Sequence, residues 1–154
     1  MSAVAEAARL LLRHRWAALA TEGPAASMVA YAPGRDASLL LYVSSLSAHT
    51  RRLAEQPRVA LVVSEPDPGI GDPQTLARVS VTGSVRLIDR RDPGFPAAWE
   101  AYVAHLPDAA PRLALTDFSL FRVTVEEVRY VGGFARAGTI TAEQLAAAMA
   151  ELAG

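Results

Sequence analysis

The stretch Leu39-Leu40-Leu41-Tyr42-Val43-Ser44-Ser45-Leu46-Ser47-Ala48-His49-Thr50-Arg51-Arg52-Leu53 decides how this 154-residue chain is read. Ser38 to Val43 is almost wholly apolar in its centre, which predicts a strand buried on both faces. A hydroxyl-rich segment follows, and Thr50 to Glu55 reads as a short helix stopped by Gln56-Pro57. A helix start leaves backbone N–H groups unpaired and carries a partial positive charge. Ser47, His49 and Thr50 can add donors there, and Arg51 or Arg52 a full charge with a bidentate fork. The segment is therefore a candidate anion site. An ordinary capped helix with solvated arginines is the plainer reading of the same residues.

Outward from this segment, the pattern upstream is a helix from Ser2 to Arg13, capped by Ser2, with Val4, Ala8, Leu11 and Leu12 on one face. Strands are expected over Trp16 to Ala20 and Ala26 to Tyr31, around the turn Thr21-Glu22-Gly23-Pro24. A second turn follows at residues 32–36. Downstream come a strand from Arg58 to Ser64, a Pro- and Gly-rich loop from Pro66 to Pro73, and a long strand from Arg78 to Asp89. Gly83 marks a bend or bulge in that strand. A helix is expected from Pro96 to Leu106 and a strand from Phe118 to Val125. Val128 to Val131 extends the strand after a break at Glu126-Glu127, read as a solvated turn. Gly132-Gly133 forces a turn, and an Ala-rich helix capped by Thr141 runs to Leu152.

Some six strands with helices inserted between them predict a mainly β, α+β fold: an antiparallel barrel with helical flanks. Regular strand–helix alternation is absent, as are G-x-G-x-x-G and G-x-x-x-x-G-K, so Rossmann and P-loop sites are not expected. No repeat or linker divides the chain, and residues 1–154 are read as one domain.

Composition narrows the chemistry. Fifteen basic and 16 acidic residues give a net charge of -1, without the footprint of a nucleic-acid or anionic-membrane partner. The absence of cysteine excludes disulfides, thiolate metal sites and cysteine nucleophiles. Residues 1–16 carry Glu6, Arg9, Arg13 and Arg15 and do not read as a targeting segment. No apolar run reaches transmembrane length, so a cytoplasmic location is expected. His14, His49 and His105 are widely spaced, which argues against a metal site. No G-x-S-x-G elbow is present.

Two further segments invite a ligand. Ala26-Ser27-Met28-Val29-Ala30-Tyr31 has small residues that would let a planar ring approach the backbone, although a plain barrel strand reads the same way. Tyr130-Val131-Gly132-Gly133-Phe134-Ala135-Arg136-Ala137 places two glycines, an aromatic and an arginine after a strand.

Taken in order, A-A-L-A-T, S-M-V-A-Y, S-x-S-A-H-T-R-R-L, A-R-V-S-V-T-G and Y-V-G-G-F-A-R-A resemble the pyridoxamine-phosphate-oxidase-like superfamily of flavin-binding split β-barrels. The nearest likeness is to its haem-utilisation branch. The resemblance covers most of positions 10 to 137. It implies a homodimer holding two flavin mononucleotides (FMN) at the subunit interface, and an oxidoreductase acting on a small substrate. By motif, Ser27, Met28 and Val29 would border the flavin ring, with Val43 and Ser44 along the ring and ribityl chain. Ser47, His49, Thr50 and Arg51 would lie near the phosphate. Arg78 would reach the cofactor, from the same or the other subunit, and Gly133 and Phe134 would close over the ring.

One departure stands out. The oxidases carry an adjacent Arg-Lys pair at the phosphate, where this chain has Ala48-His49, and their C-terminal Arg-x-His is missing. The alternative is a haem-binding or haem-degrading protein on the same barrel, with His49, His105 or Arg136 near the iron. A third reading is a non-catalytic ligand-binding module.

Overall fold

The computed structural model describes residues 2–133 and 136–154 and, within them, every side chain except that of His49. Among the described residues, eight strands form one sheet: β1 (Trp16–Thr21), β2 (Ala25–Ala30), β3 (Ala32–Pro33), β4 (Leu39–Ser44), β5 (Arg58–Ser64), β6 (Arg78–Ile88), β7 (Phe118–Val131) and β8 (Ala137–Thr141). Every pairing is antiparallel, in the order β2-β1-β5-β6-β7-β4-β3, with β8 also beside β7. β4 and β8 occupy successive stretches of one edge of β7, and β6 holds the other. The sheet curls until β2 lies beside β4, giving the expected split barrel with helical flanks.

Among the described residues, four α-helices cover it: α1 (Ala3–Arg13), α2 (Ala48–Glu55), α3 (Phe95–His105) and α4 (Ala142–Ala153). Two cores result. Inside the curl, Leu39, Leu41 and Val43 pack with Val79, Val81 and residues of α1 and α4. On the other face, Leu40 and Tyr42 pack against Phe95, Ala98 and Tyr102 of α3. That second layer is why β4 is buried from Leu39 to Val43 without polar alternation.

Ser2 caps α1 by accepting a hydrogen bond from the Ala5 N–H at 3.2 Å. Thr141 and Gln144 form a reciprocal capping box at the start of α4. The β6–β7 register jumps between Thr82↔Glu127 and Gly83↔Val125, leaving Glu126 as the extra residue of a bulge. A Cβ on Gly83 would sit 2.1 Å from the Thr124 carbonyl oxygen, so only glycine lets the strands approach this closely.

The break expected at Glu126-Glu127 is therefore a bulge inside a continuous 14-residue strand, and not a solvated turn. The short strands β3 and β8 and the 3-10 helices Pro73–Thr75 and Pro107–Ala114 have no counterpart in the sequence pattern. β3 and Pro73–Thr75 are too short to show a period, β8 has only five residues, and Pro111 interrupts any helical pattern in Pro107–Ala114.

Candidate functional site

The α2 corner is built by the turn that leaves β4. The Ser47 backbone is extended at the N-cap, yet its hydroxyl makes no capping bond. Thr50 Oγ1 donates to the Ser44 carbonyl at 2.5 Å. Ser44 Oγ in turn donates to Asp117 Oδ2 at 3.1 Å and accepts from the Leu46 N–H at 3.2 Å. Both hydroxyls are thus engaged within the protein. Arg51 is exposed, whereas Arg52 folds back over Gly23 (φ +113°) to donate to the Glu22 carbonyl at 3.2 Å. The His49 side chain lies outside the described residues. Of the expected phosphate group, Ser47 and Arg51 remain available, and the Asp117 carboxylate introduces negative charge beside Ser44. Sequence reading missed Asp117 because it comes from the far end of the chain and carries no motif.

β2 forms one end of the sheet, pairing only with β1 while its other side faces β4 and α2. Val29 and Val43 point into the core. Met28 points outward and is 47% exposed. The hydroxyls of Ser27 and Thr21 are buried without a hydrogen-bond partner among the described residues. An unpaired buried hydroxyl costs about 1–3 kcal/mol. A ligand edge or water beside β2 would relieve that cost. Thr21 was not anticipated, because its environment depends on how β1 and α2 meet.

Arg78 and Gly133 lie elsewhere. Arg78 Nη1 donates to the carbonyls of Gln74 at 2.9 Å and Leu76 at 3.1 Å. Gly133 turns at φ +120°, near the Thr75 carbonyl. Phe134 falls outside the described residues. Arg78 is opposite Val131, whereas Ser44 is opposite Phe118, so the two groups sit at opposite ends of β7. One chain gathers Ser27, Met28, Val29, Val43, Ser44, Ser47, Thr50 and Arg51 at one end of the barrel. It leaves Arg78 and Gly133 at the other.

The residues considered for iron are also dispersed. His105 Nε2 lies 2.8 Å from the His14 carbonyl oxygen, and its ring packs at 6.1 Å from that of Tyr31. It lines a groove of about 340 Å³ between α1, α3 and α4, along with Leu12, Ala101 and Met149. Arg136 donates to Glu6 Oε1 at 2.9 Å, at the other end of α1. His14 Nε2 stands 3.4 Å from Glu65 Oε2; burial, then the Arg13 charge, holds its pKa below the ordinary histidine value. Neither His105 nor Arg136 joins the α2 corner.

The family model for pyridoxamine 5'-phosphate oxidase matches residues 3–132. The chain belongs to this family. Among solved structures, the heme-binding protein from Mycobacterium smegmatis superposes with a TM-score of 0.82 and 32% identity, covering 96% of this chain and 61% of that one. The chloroplastic heme oxygenase HOZ of Arabidopsis thaliana is 36% identical over 114 residues, which is 74% of this chain and 33% of HOZ. The chain thus spans about a third of the plant relative. ChuZ of Campylobacter jejuni shares the fold at a TM-score of 0.75 and 16% identity, over 86% of this chain and 56% of that one.

The residues fit two possible groups unequally. A flavin phosphate would meet two engaged hydroxyls and the Asp117 carboxylate, a poor setting for a dianion. A flat, largely apolar macrocycle with carboxylate arms asks for apolar surface and an arginine. Exposed Met28 and Arg51, with the Ser47 helix start, supply these, and Asp117 opposes a singly charged carboxylate arm less than it opposes a dianion.

Proposed function

We propose that this family member is a haem-binding protein of haem utilisation that works as a homodimer, with haem held where the subunits meet. The observation that carries the reading is the likeness to the mycobacterial heme-binding protein at 32% identity over 96% of the chain. The similarity to HOZ supports the same ligand class. Met28, Ser47, His49 and Arg51 would hold the group. Bound haem would supply iron-centred redox chemistry, while the protein supplies apolar burial, cationic partners for the propionates and an axial donor.

This replaces a flavin as the first choice of cofactor. The homodimer reading draws on an outward sheet face where Trp16, Met28 and Val62 are 57%, 47% and 40% exposed beside Ala18, Ala20 and Ala60. Apolar surface gathered in this way calls for a partner.

Hemin titration of the purified protein tests the ligand. A saturable Soret band with near-equimolar stoichiometry is expected, and the same titration with FMN should leave flavin fluorescence unquenched. Flavin quenching without a Soret change would overturn the reading. Incubating the haem complex with ascorbate in air then separates haem degradation, which bleaches the band, from binding alone, which preserves it. Light scattering tests the homodimer.

A further inference from the structure

We infer that the turn from Ser44 to Ser47 is a preformed brace for haem, in which Leu46 is the apolar contact to the macrocycle and Asp117 the residue that positions it. This rests on the haem reading above and adds two residues to its site.

Residues 44–52 read S-S-L-S-A-H-T-R-R, so Leu46 is the only large apolar side chain between Val43 and Leu53. It is 83% exposed. A single exposed leucine calls for no explanation by itself. What sets Leu46 apart is how firmly its backbone is held. Its own N–H donates to Ser44 Oγ at 3.2 Å, and the Ser47 N–H donates to the Ser44 carbonyl at 3.1 Å. The Ser45 N–H donates to the Asp117 backbone carbonyl at 2.7 Å. The Asp117 carboxylate accepts from Ser44 Oγ, the same oxygen that takes the Leu46 N–H.

Asp117 therefore grips the turn twice, once through its backbone and once through its side chain, from 73 positions along the chain. An apolar side chain on a backbone fixed in this way meets a ligand with little further loss of conformational freedom.

The place of Leu46 matches the shape of the ligand. In haem the carboxylate arms leave the rim of an apolar ring, so a residue that touches the ring belongs beside those that take the arms. Leu46 immediately precedes Ser47, where α2 begins, and Arg51 lies one turn along that helix. Charge is nearly balanced at this corner, because Asp117, Glu22 and Glu55 offset Arg51 and Arg52. Apolar contact must then carry much of the affinity. A small inorganic anion would gain nothing from Leu46.

Hemin titrations followed in the Soret region test both residues. Leu46→Ser should weaken hemin binding about tenfold, the worth of one leucine side chain buried against a ligand. Its Tm and its mass by light scattering should stay those of the unmodified chain, and Leu152→Ser on α4 should bind hemin normally. Asp117→Ala and Asp117→Asn both remove the charge, so the difference between them reads the hydrogen bond alone. Asn keeps an acceptor for Ser44 Oγ and should bind hemin about fivefold more tightly than Ala. That gap should vanish when Leu46→Ser is added to each, because Asp117 acts through the turn that carries Leu46. Equal hemin affinity in Leu46→Ser and the unmodified chain overturns the brace and leaves the haem reading standing. A gap between the Asp117 variants that survives Leu46→Ser overturns the positioning role. An unmodified chain that binds no hemin overturns the haem reading and the brace together.

Discussion

Tyr130 donates its hydroxyl to Glu6 Oε2 at 2.5 Å, tying the first helix to the end of β7 across 124 positions of sequence. The other oxygen of the same carboxylate takes Arg136, beyond the Gly132-Gly133 turn. Glu6 therefore clasps both limbs of the barrel exit. The Tyr130 hydrogen bond, opposed by burial and then aided by Arg136, holds the Glu6 carboxyl below its ordinary value of 4.5.

Tyr130→Phe should cost about 1.5–3 kcal/mol, the usual range for a hydrogen bond to a charged group. Because the folded pKa of Glu6 is lowered, its stabilisation is present above 4.5 and is lost as pH falls through the lowered value. Thermal melts of both proteins should show a full gap in Tm at pH 7 that closes in acid. A gap constant down to the acid limit of folding would mean that Glu6 is not its source.

Gly83→Ala should destabilise by roughly 3 kcal/mol, because its Cβ meets the Thr124 backbone carbonyl and no side chain there can yield. Gly138→Ala, where nothing lies within 4 Å, should be neutral or slightly stabilising. Urea denaturation of the pair separates close strand approach from a general cost of losing glycine.

Asp117→Asn should strengthen anion binding at the α2 corner by about 1 kcal/mol, close to fivefold. It removes a negative charge while keeping an acceptor for Ser44 Oγ. Calorimetric titration with inorganic phosphate measures the change; equal affinity in both proteins would place the anion elsewhere.

His49→Ala should weaken hemin binding and shift the Soret maximum, whereas His105→Ala should leave both unchanged. His105 already spends Nε2 on the His14 carbonyl and packs on Tyr31. The opposite pattern in hemin titrations of the two variants would move the haem to the groove between α1, α3 and α4.

Local chemistry made much of the barrel readable in advance. The unbroken apolar run of β4, the bend at Gly83 and the Thr141 cap each announce themselves within a few residues. The site was less legible. Ser27 lies on β2 and Ser47 at the start of α2, but the value of a hydroxyl depends on its neighbours. Thr50 and Ser44 are engaged by groups that sequence spacing does not reveal, Asp117 among them. Arg78 and Gly133 carry motif signals without any sign that β7 would separate them from the rest. Long-range pairing decides such matters, and no local pattern reports it.

The position of β7 in the sheet has a consequence for how the chain is made. β4 is complete by residue 44, yet its long partner begins only at Phe118, and until then only the two-residue β3 can pair with it. A ribosome-bound chain thus carries Leu-Leu-Leu-Tyr-Val as an open, sticky edge while more than half of its length is still being synthesised. Early termination products should aggregate, and a pulse of chaperone dependence should end once residue 131 has cleared the exit tunnel.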